Sequence, residues 1–214
     1  MEHILILGAG GHGIVVADII NSMNEQGHNV SVRGFLDDDS KIHGQSLSEI
    51  KVLGNDTILE EYTDDKIIIA LGDNAVRKKI VHNIGKAGRA FFTAIHPSAV
   101  ISPSAQIGQG CMICAGAVIN PECNIGDHVI INTGATVDHH NQVGSYTHIA
   151  PGVHTGGEVT IGEGVFIGIG ASIVPRIRIG DRSRIAIGSV VTRNVEEGAF
   201  VGGSPARVIR KREF

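Results

Sequence analysis

"IGDHVIINTGATVDHHNQVGSYTHIA", residues 125 to 150, carries an aliphatic residue at every sixth position: Ile125, Ile131, Val137, Val143 and Ile149. The same frame extends from Ile95 to Val191 without a slip, and sixteen of its seventeen positions hold isoleucine or valine. A period kept that long is an internal repeat and not an accident of composition. Two residues before each of these positions sits a mostly small side chain, such as Cys111, Ala117, Cys123 and Ala135. Residues two apart on a strand share a face, so both sets are expected to point inward.

A longer period lies on top of the first. Ile-Gly or Val-Gly recurs at Ile107, Ile125, Val143, Ile161 and Ile179, so three hexapeptides make one turn. That pattern predicts a triangular parallel β-helix, with short flat strands, tight corners and coils stacked about 4.8 Å apart. The span from 95 to 191 holds a little more than five coils, and the proline and glycines at 151 to 157 suggest a corner or short loop. Cys111 and Cys123 fall on the small inward position and read as core thiols, while Cys114 is out of phase with them. Three cysteines in all argue against a disulfide framework. Two residues break the inward frame: Asn141 on the small position and Thr155 on the aliphatic one. Both lie in the coil that carries His139, His140 and His148. His139, near a corner, and His148, beside Ile149, stand outside the apolar set. Local rules tend to break at functional sites, which marks this coil.

The 214 residues include 42% hydrophobic ones, enough for real cores, and the net charge is -4. That balance gives no bulk electrostatic reason to expect nucleic acid or an anionic membrane. No run of eighteen apolar residues exists, and "MEHILILGAGGHG" lacks the basic leader of a signal peptide. A cytoplasmic protein without membrane insertion is the expectation.

Residues 1–92 read as a separate domain, followed by the β-helix and its tail over 93–214. "HILILGAGGHGIVVADIINSM" gives a buried strand, a glycine-rich turn and a helix, and Gly8, Gly10 and Gly13 fit G-x-G-x-x-G. The helix would aim its first amides at a phosphate. "VRGFLDDD" adds a strand ending in Asp37, Asp38 and Asp39, about where a ribose- or base-binding acid belongs. A third strand, a turn at Gly72 and a second helix follow. A dinucleotide normally needs two such halves, so about ninety residues suit a mononucleotide better.

Taken together, "GAGGHG", "FLDD", "IALGDN", "RKKI", "IHPSAVISPSA", "NTGATVDHH", "THIAPG", "IGIGASIVP" and "VGGSPARVIR" span essentially the whole chain. In these motifs the chain resembles the hexapeptide-repeat sugar acyltransferases of the sialic acid O-acetyltransferase family. The nearest likeness is to bacterial enzymes that N-acetylate a 4-amino sugar on a nucleotide diphosphate. The resemblance implies a Rossmann-like α/β domain followed by a left-handed parallel β-helix, acting as a homotrimer in glycan biosynthesis. It implies a nucleotide-linked amino sugar, with UDP as the expected carrier, held by Gly10, Gly11, His12, Asp37, Asp38 and Gly72. Acetyl-CoA, the acyl donor, would lie in a groove between two subunits along Gly157, Ile169 and Ile187, with His148 near its thioester. His139 would be the catalytic base. The residue after the base is commonly acidic in relatives and would orient the imidazole; here it is His140, which is counted with the catalytic pair. Asp138 is no obvious substitute, because neighbouring strand residues face opposite ways.

Other readings of these residues exist. One histidine serves an amine or a hydroxyl nucleophile, so O-acetylation of a sugar or sialic acid is the nearest alternative. A noncatalytic nucleotide-sugar-binding protein and an NAD-dependent oxidoreductase belong to other classes, the latter resting on the glycine fingerprint alone. A zinc site at His139, His140 and His148 is disfavoured, because adjacent histidines on an extended strand diverge and no cysteine or carboxylate completes the set. No metal is expected.

Overall fold

The structure, a computed structural model, describes residues 1–85 and 88–210. It divides into two compact units, Met1–Pro97 and Ser98–Phe214. The division falls five residues after the expected 92/93 boundary, because the short strand Ala94–Ile95 still packs on the first unit's leading helix.

That unit runs β1 (Glu2–Leu7), α1 (Gly11–Glu25), β2 (Val30–Leu36), β3 (Ser46–Leu47), β4 (Ile50–Gly54), β5 (Lys66–Ile69) and α2 (Asn74–Gly85). The strands form one sheet in the order β3-β4-β2-β1-β5. β1 pairs parallel with both β2 and β5, β4 pairs parallel with β2, and only β3 runs antiparallel at the edge. Ile4, Leu5 and Ile6 of β1 and Ile67, Ile68 and Ile69 of β5 are all 0% exposed, the continuous apolar run that a doubly covered parallel strand requires. α1 buries Val16, Ile19, Ile20 and Met23, one face at helical spacing. Gly13 has to lack a Cβ, which would run into the Gly8 carbonyl, and Gly8 itself turns the chain at φ +105. β2 and β5 flank β1 on opposite sides, so the chain reverses direction across the sheet at the carboxyl end of β1, where open α/β sheets take their ligands.

The second unit is a parallel β-helix of two-residue strands stacked in three walls. The first wall contains Val100–Ile101, Val118–Ile119, Thr136–Val137, His154–Thr155, Ser172–Ile173 and Val190–Val191. The second contains Gln106–Ile107, Asn124–Ile125, Gln142–Val143, Thr160–Ile161 and Arg178–Ile179. The third includes Met112–Ile113, Ile130–Ile131, His148–Ile149, Phe166–Ile167 and Arg184–Ile185. Partners within a wall are eighteen residues apart. Both inward columns are as expected: Cys111, Ala117, Ala135, Val153 and Val165 are 0% exposed, and Ile131, Val137, Ile149 and Ile167 are equally sealed.

From Gly110 to Gly188 each corner turns on one residue of positive φ, three places after the aliphatic position. Glycine holds that place in about half the corners, while Glu122, His128, His140, Tyr146, Glu158, Arg176 and Arg182 hold it in the rest. Pro151 and Gly152 form one of these ordinary corners, with strand His154–Thr155 directly after it.

Three features depart from the sequence reading. Cys114 lies outside the inward columns but is 0% exposed, and burial raises its thiol to about 11. The third wall is also covered on its outer side, where Met112 and Ile130 are 0% exposed. Beyond Val191 the last coil is two residues short: Val195 bridges Ile179 and Val201 pairs with Ile185, sixteen residues apart and not eighteen. A hairpin of Phe200–Gly203 and Ala206–Arg210 closes the described chain.

Candidate active site

The corner that joins the first wall to the second, residues 138 to 141, carries His139 and His140. Both are exposed. His139 leans over Gly157, the residue eighteen places on, and a Cβ at 157 would strike its imidazole. Glycine is therefore required there by the histidine's position. His140 occupies the left-handed corner place with φ +59. That backbone turn brings the two rings together, edge to face, with their Nδ1 atoms 3.0 Å apart. Adjacent histidines diverge on an extended strand, but here the corner bends between them, which corrects the expectation drawn from strand geometry.

Asp138 does not touch the imidazole. Its Oδ1 accepts the His139 backbone N–H at 2.8 Å and the Asn120 side-chain amide at 2.8 Å. These two donors hold the carboxyl below its ordinary range. Asn120 is a participant that residue-by-residue reading missed; its signal was the eighteen-residue period, which places it directly beneath Asp138.

The two frame-breaking residues converge on the same corner from inside. Thr155 Oγ1 accepts the Asp138 N–H at 3.2 Å. Asn141, 0% exposed, donates to Asp138 O at 2.5 Å and to Gly156 O at 2.9 Å. The Gly156 carbonyl points into the core, so the trans peptide turns the Gly157 N–H outward, toward the His139 side. That N–H makes no hydrogen bond among the described residues.

The remaining residues expected around the coenzyme are not gathered at this corner. His148 projects from the outer face of the third wall, opposite the His139 corner, and is 8% exposed. It meets Phe166 edge to face and the Asn132 amide at 3.2 Å. Ile169 and Ile187 stand on the corner between the third and first walls, 57% and 74% exposed. His154 lies on the first wall with Nδ1 2.8 Å from Thr136 Oγ1.

The first unit holds a second cluster, at the carboxyl ends of β1, β2 and β5. Gly10 and Gly11 open α1, are exposed, and leave clear space around their α-carbons. Asp37 Oδ2 accepts the Ala9 N–H at 2.8 Å and its Oδ1 accepts the Asp39 N–H at 3.0 Å. Asp37 thus pins the glycine loop to the loop after β2, which leaves Asp38 and Asp39 as exposed acids there, with Asp39 Oδ1 accepting the Lys41 N–H. Gly72 lies in the loop after β5. Below it is a buried cation that composition did not single out: Arg77, 0% exposed, donates to Leu71 O at 2.7 Å and to Asn74 Oδ1 at 2.9 Å. Burial, with Arg77 nearby, lowers the His12 imidazole to about 4.

Comparison with known proteins relates both units to one family. Residues 3–84 match the PglD N-terminal domain and residues 158–193 the bacterial transferase hexapeptide (six repeats). The acetyltransferase domain of PglB from Neisseria gonorrhoeae is 33% identical, with 98% of this chain and 100% of that one covered at a TM-score of 0.89. The chain belongs to the hexapeptide-repeat sugar N-acetyltransferases. Another member of the family, GDP-perosamine N-acetyltransferase from Caulobacter crescentus, is known as a histidine-to-alanine variant with CoA and GDP-perosamine bound. It is 34% identical, with 97% of each chain covered and a TM-score of 0.88. UDP-N-acetylbacillosamine N-acetyltransferase of Bacillus subtilis is 36% identical over 125 residues, 54% of this chain. The aligned part spans about half of that enzyme, 52%. A structure of the PglB domain with acetyl coenzyme A, 33% identical, has a TM-score of 0.89. Among the described residues, no helix of this chain is long and apolar enough to cross a membrane.

Proposed function

We propose that the protein is an acetyl-CoA-dependent N-acetyltransferase acting on the 4-amino group of a nucleotide-linked sugar, with UDP as the carrier, in bacterial glycan biosynthesis. The observation that carries this reading is the His139 corner: an exposed imidazole packed on Gly157, its Nδ1 3.0 Å from that of His140, beside an outward backbone N–H. Support for an amino sugar on a nucleotide comes from the relatives, whose names specify UDP-N-acetylbacillosamine and GDP-perosamine. Two of the perosamine enzyme's complexes with CoA and GDP-perosamine are of variants at a single histidine.

Bound acetyl-CoA supplies a thioester carbonyl open to attack. A protonated amine has no lone pair, so the chain has to provide a base that works near neutral pH, and imidazole suits that task. His139 serves through Nε2 when its proton sits on Nδ1 and is donated to Nδ1 of His140. His140, as a neutral acceptor, then takes the part that an acid plays in relatives. As the amine nitrogen bonds to the acetyl carbon, Nε2 takes the amine's proton. The carbon–sulfur bond breaks, and the proton passes to the departing sulfur, which leaves as the thiol. The Gly157 N–H faces the place where negative charge gathers on the carbonyl oxygen, a contact typically worth about 3 kcal/mol.

Gly10, Gly11, His12, Asp38 and Gly72 are the residues we assign to the nucleotide sugar, with Asp37 and Arg77 shaping the loops around it. Gly157, Ile169, Ile187 and His148 are assigned to the coenzyme, completed by a neighbouring copy in a homotrimer. We place the reaction in the cytoplasm, where both substrates are made.

The test is release of free CoA from acetyl-CoA with a panel of UDP-, GDP- and dTDP-linked 4-amino sugars and free sialic acid. One nucleotide amino sugar should turn over, and His139→Ala should lose roughly 100- to 10,000-fold in kcat. Turnover of free sialic acid alone would replace this reading with O-acetylation. A His139→Ala loss below about fivefold at saturation would remove His139 as the base.

A further inference from the structure

Asn141 stands where the repeat calls for a small apolar side chain. The residues below and above it in its column are Cys123 and Val159, 1% and 0% exposed. Elsewhere in the β-helix valine fills this place without loss of regularity, at Val129, Val153, Val159 and Val165. The fold therefore does not require an amide here. Burying one has a cost as well, since Asn141 Oδ1 has no hydrogen-bond partner among the described residues.

The amide nitrogen is fully engaged. Nδ2 lies 2.5 Å from Asp138 O and 2.9 Å from Gly156 O, with His139 O at 3.5 Å. Those carbonyls belong to two successive coils: the corner that carries His139, and the peptide leading into Gly157. One side chain therefore ties together the backbone under the imidazole and the backbone whose N–H faces it. The next inward position shows a hydroxyl making the equivalent bond, for Thr147 Oγ1 donates to Gly162 O at 2.8 Å.

We propose that Asn141 is a positioning residue for acetyl transfer, clamping the His139 corner to the Gly156–Gly157 peptide from inside the core. The clamp sets the separation of the base and the outward N–H. Acyl transfer is sensitive to such placement at the scale of an ångström. The inference rests on the acetyltransferase reading and deepens it.

Asn141→Val and Asn141→Thr form a near-isosteric pair that differs in the donor alone, and both fit the frame. Steady-state CoA release by the full chain at saturating acetyl-CoA and nucleotide amino sugar, with thermal melting alongside, separates the possibilities. Asn141→Val should lose about tenfold or more in kcat, with both KM values within about twofold and an unchanged melting temperature. Asn141→Thr should lose several-fold less than the valine variant, because its single hydroxyl proton restores the bond to Gly156 O, as Thr147 donates to Gly162 O, though not the bond to Asp138 O. Wild-type kcat in Asn141→Val, equal losses in both variants, or a loss that tracks a lowered melting temperature would each overturn the clamp. A fully active His139→Ala run in parallel would instead overturn the assignment of the base, and the clamp with it. A silent Asn141→Val beside an inactive His139→Ala would remove the clamp alone.

Discussion

At the scale of single residues, His140 has two duties that mutation can separate. It holds a left-handed corner, which costs a residue with a side chain about 1 kcal/mol, and its ring nitrogen faces that of His139. His140→Gly should relieve the corner and leave the protein as stable or up to about 1 kcal/mol more stable, while kcat falls at least about tenfold. His140→Asn keeps a side chain suited to that backbone and offers a carbonyl acceptor, so its kcat should exceed that of the glycine variant several-fold. Urea denaturation together with kcat for both variants checks this; parallel loss of stability and rate in His140→Gly would mean the ring serves only the fold. None of this was readable from "VDHH" taken alone. What could be read was that both frame breaks, Asn141 and Thr155, fall in that coil, and both prove to bond the Asp138–His139 corner. The contact between the rings depends on a positive φ at a non-glycine residue, for which the local sequence has no mark.

At the scale of elements, the loop opening α1 sets a titration. His12 sits in the first turn of the helix, where burial and the nearby Arg77 guanidinium oppose a charge. The unfolded imidazole takes up a proton near 6.5 and the folded one at about 4. Between those values the unfolded chain binds more protons, so folding stability rises with pH there and is lost as pH falls through the window. His12→Asn should flatten the dependence of the melting temperature on pH between about 6.5 and 4. An unchanged slope would show that other groups govern it. The parallel strands and their glycine turn were legible because buried strands read as apolar runs. The β3–β4 hairpin was not: two strands of two and five residues are too short for a period, and its turn at Ser48 and Glu49 takes positive φ without glycine or asparagine. The shortened last coil was hidden for a related reason. The two missing residues come out of the exposed stretch 192–194, where the inward frame imposes nothing, and the count of six resumes only at Val195 and Val201.

At the scale of the whole molecule, the repeat separates residues that the proposed chemistry needs together. Three walls and three corners place His139 where the first wall ends and His148 on the outer face of the third wall, opposite that corner. Ile169 and Ile187 project from the remaining edge of the first wall, between it and the third. A site drawing on all of them is built from the His139 corner of one copy and residues of the next, and three copies around an axis close such a contact on itself. Light scattering should therefore give three times the 22.5 kDa chain mass. A sharper consequence concerns hybrids. His139→Ala and His148→Ala, each weak alone, should regain activity when co-expressed, because some sites then join an intact His139 to an intact His148 from the neighbouring copy. With random assembly each partner is intact half the time, so the mixture should reach about a quarter of the wild-type rate. A mixture no faster than the average of its parents would place the working residues within one subunit and confine the neighbour to packing.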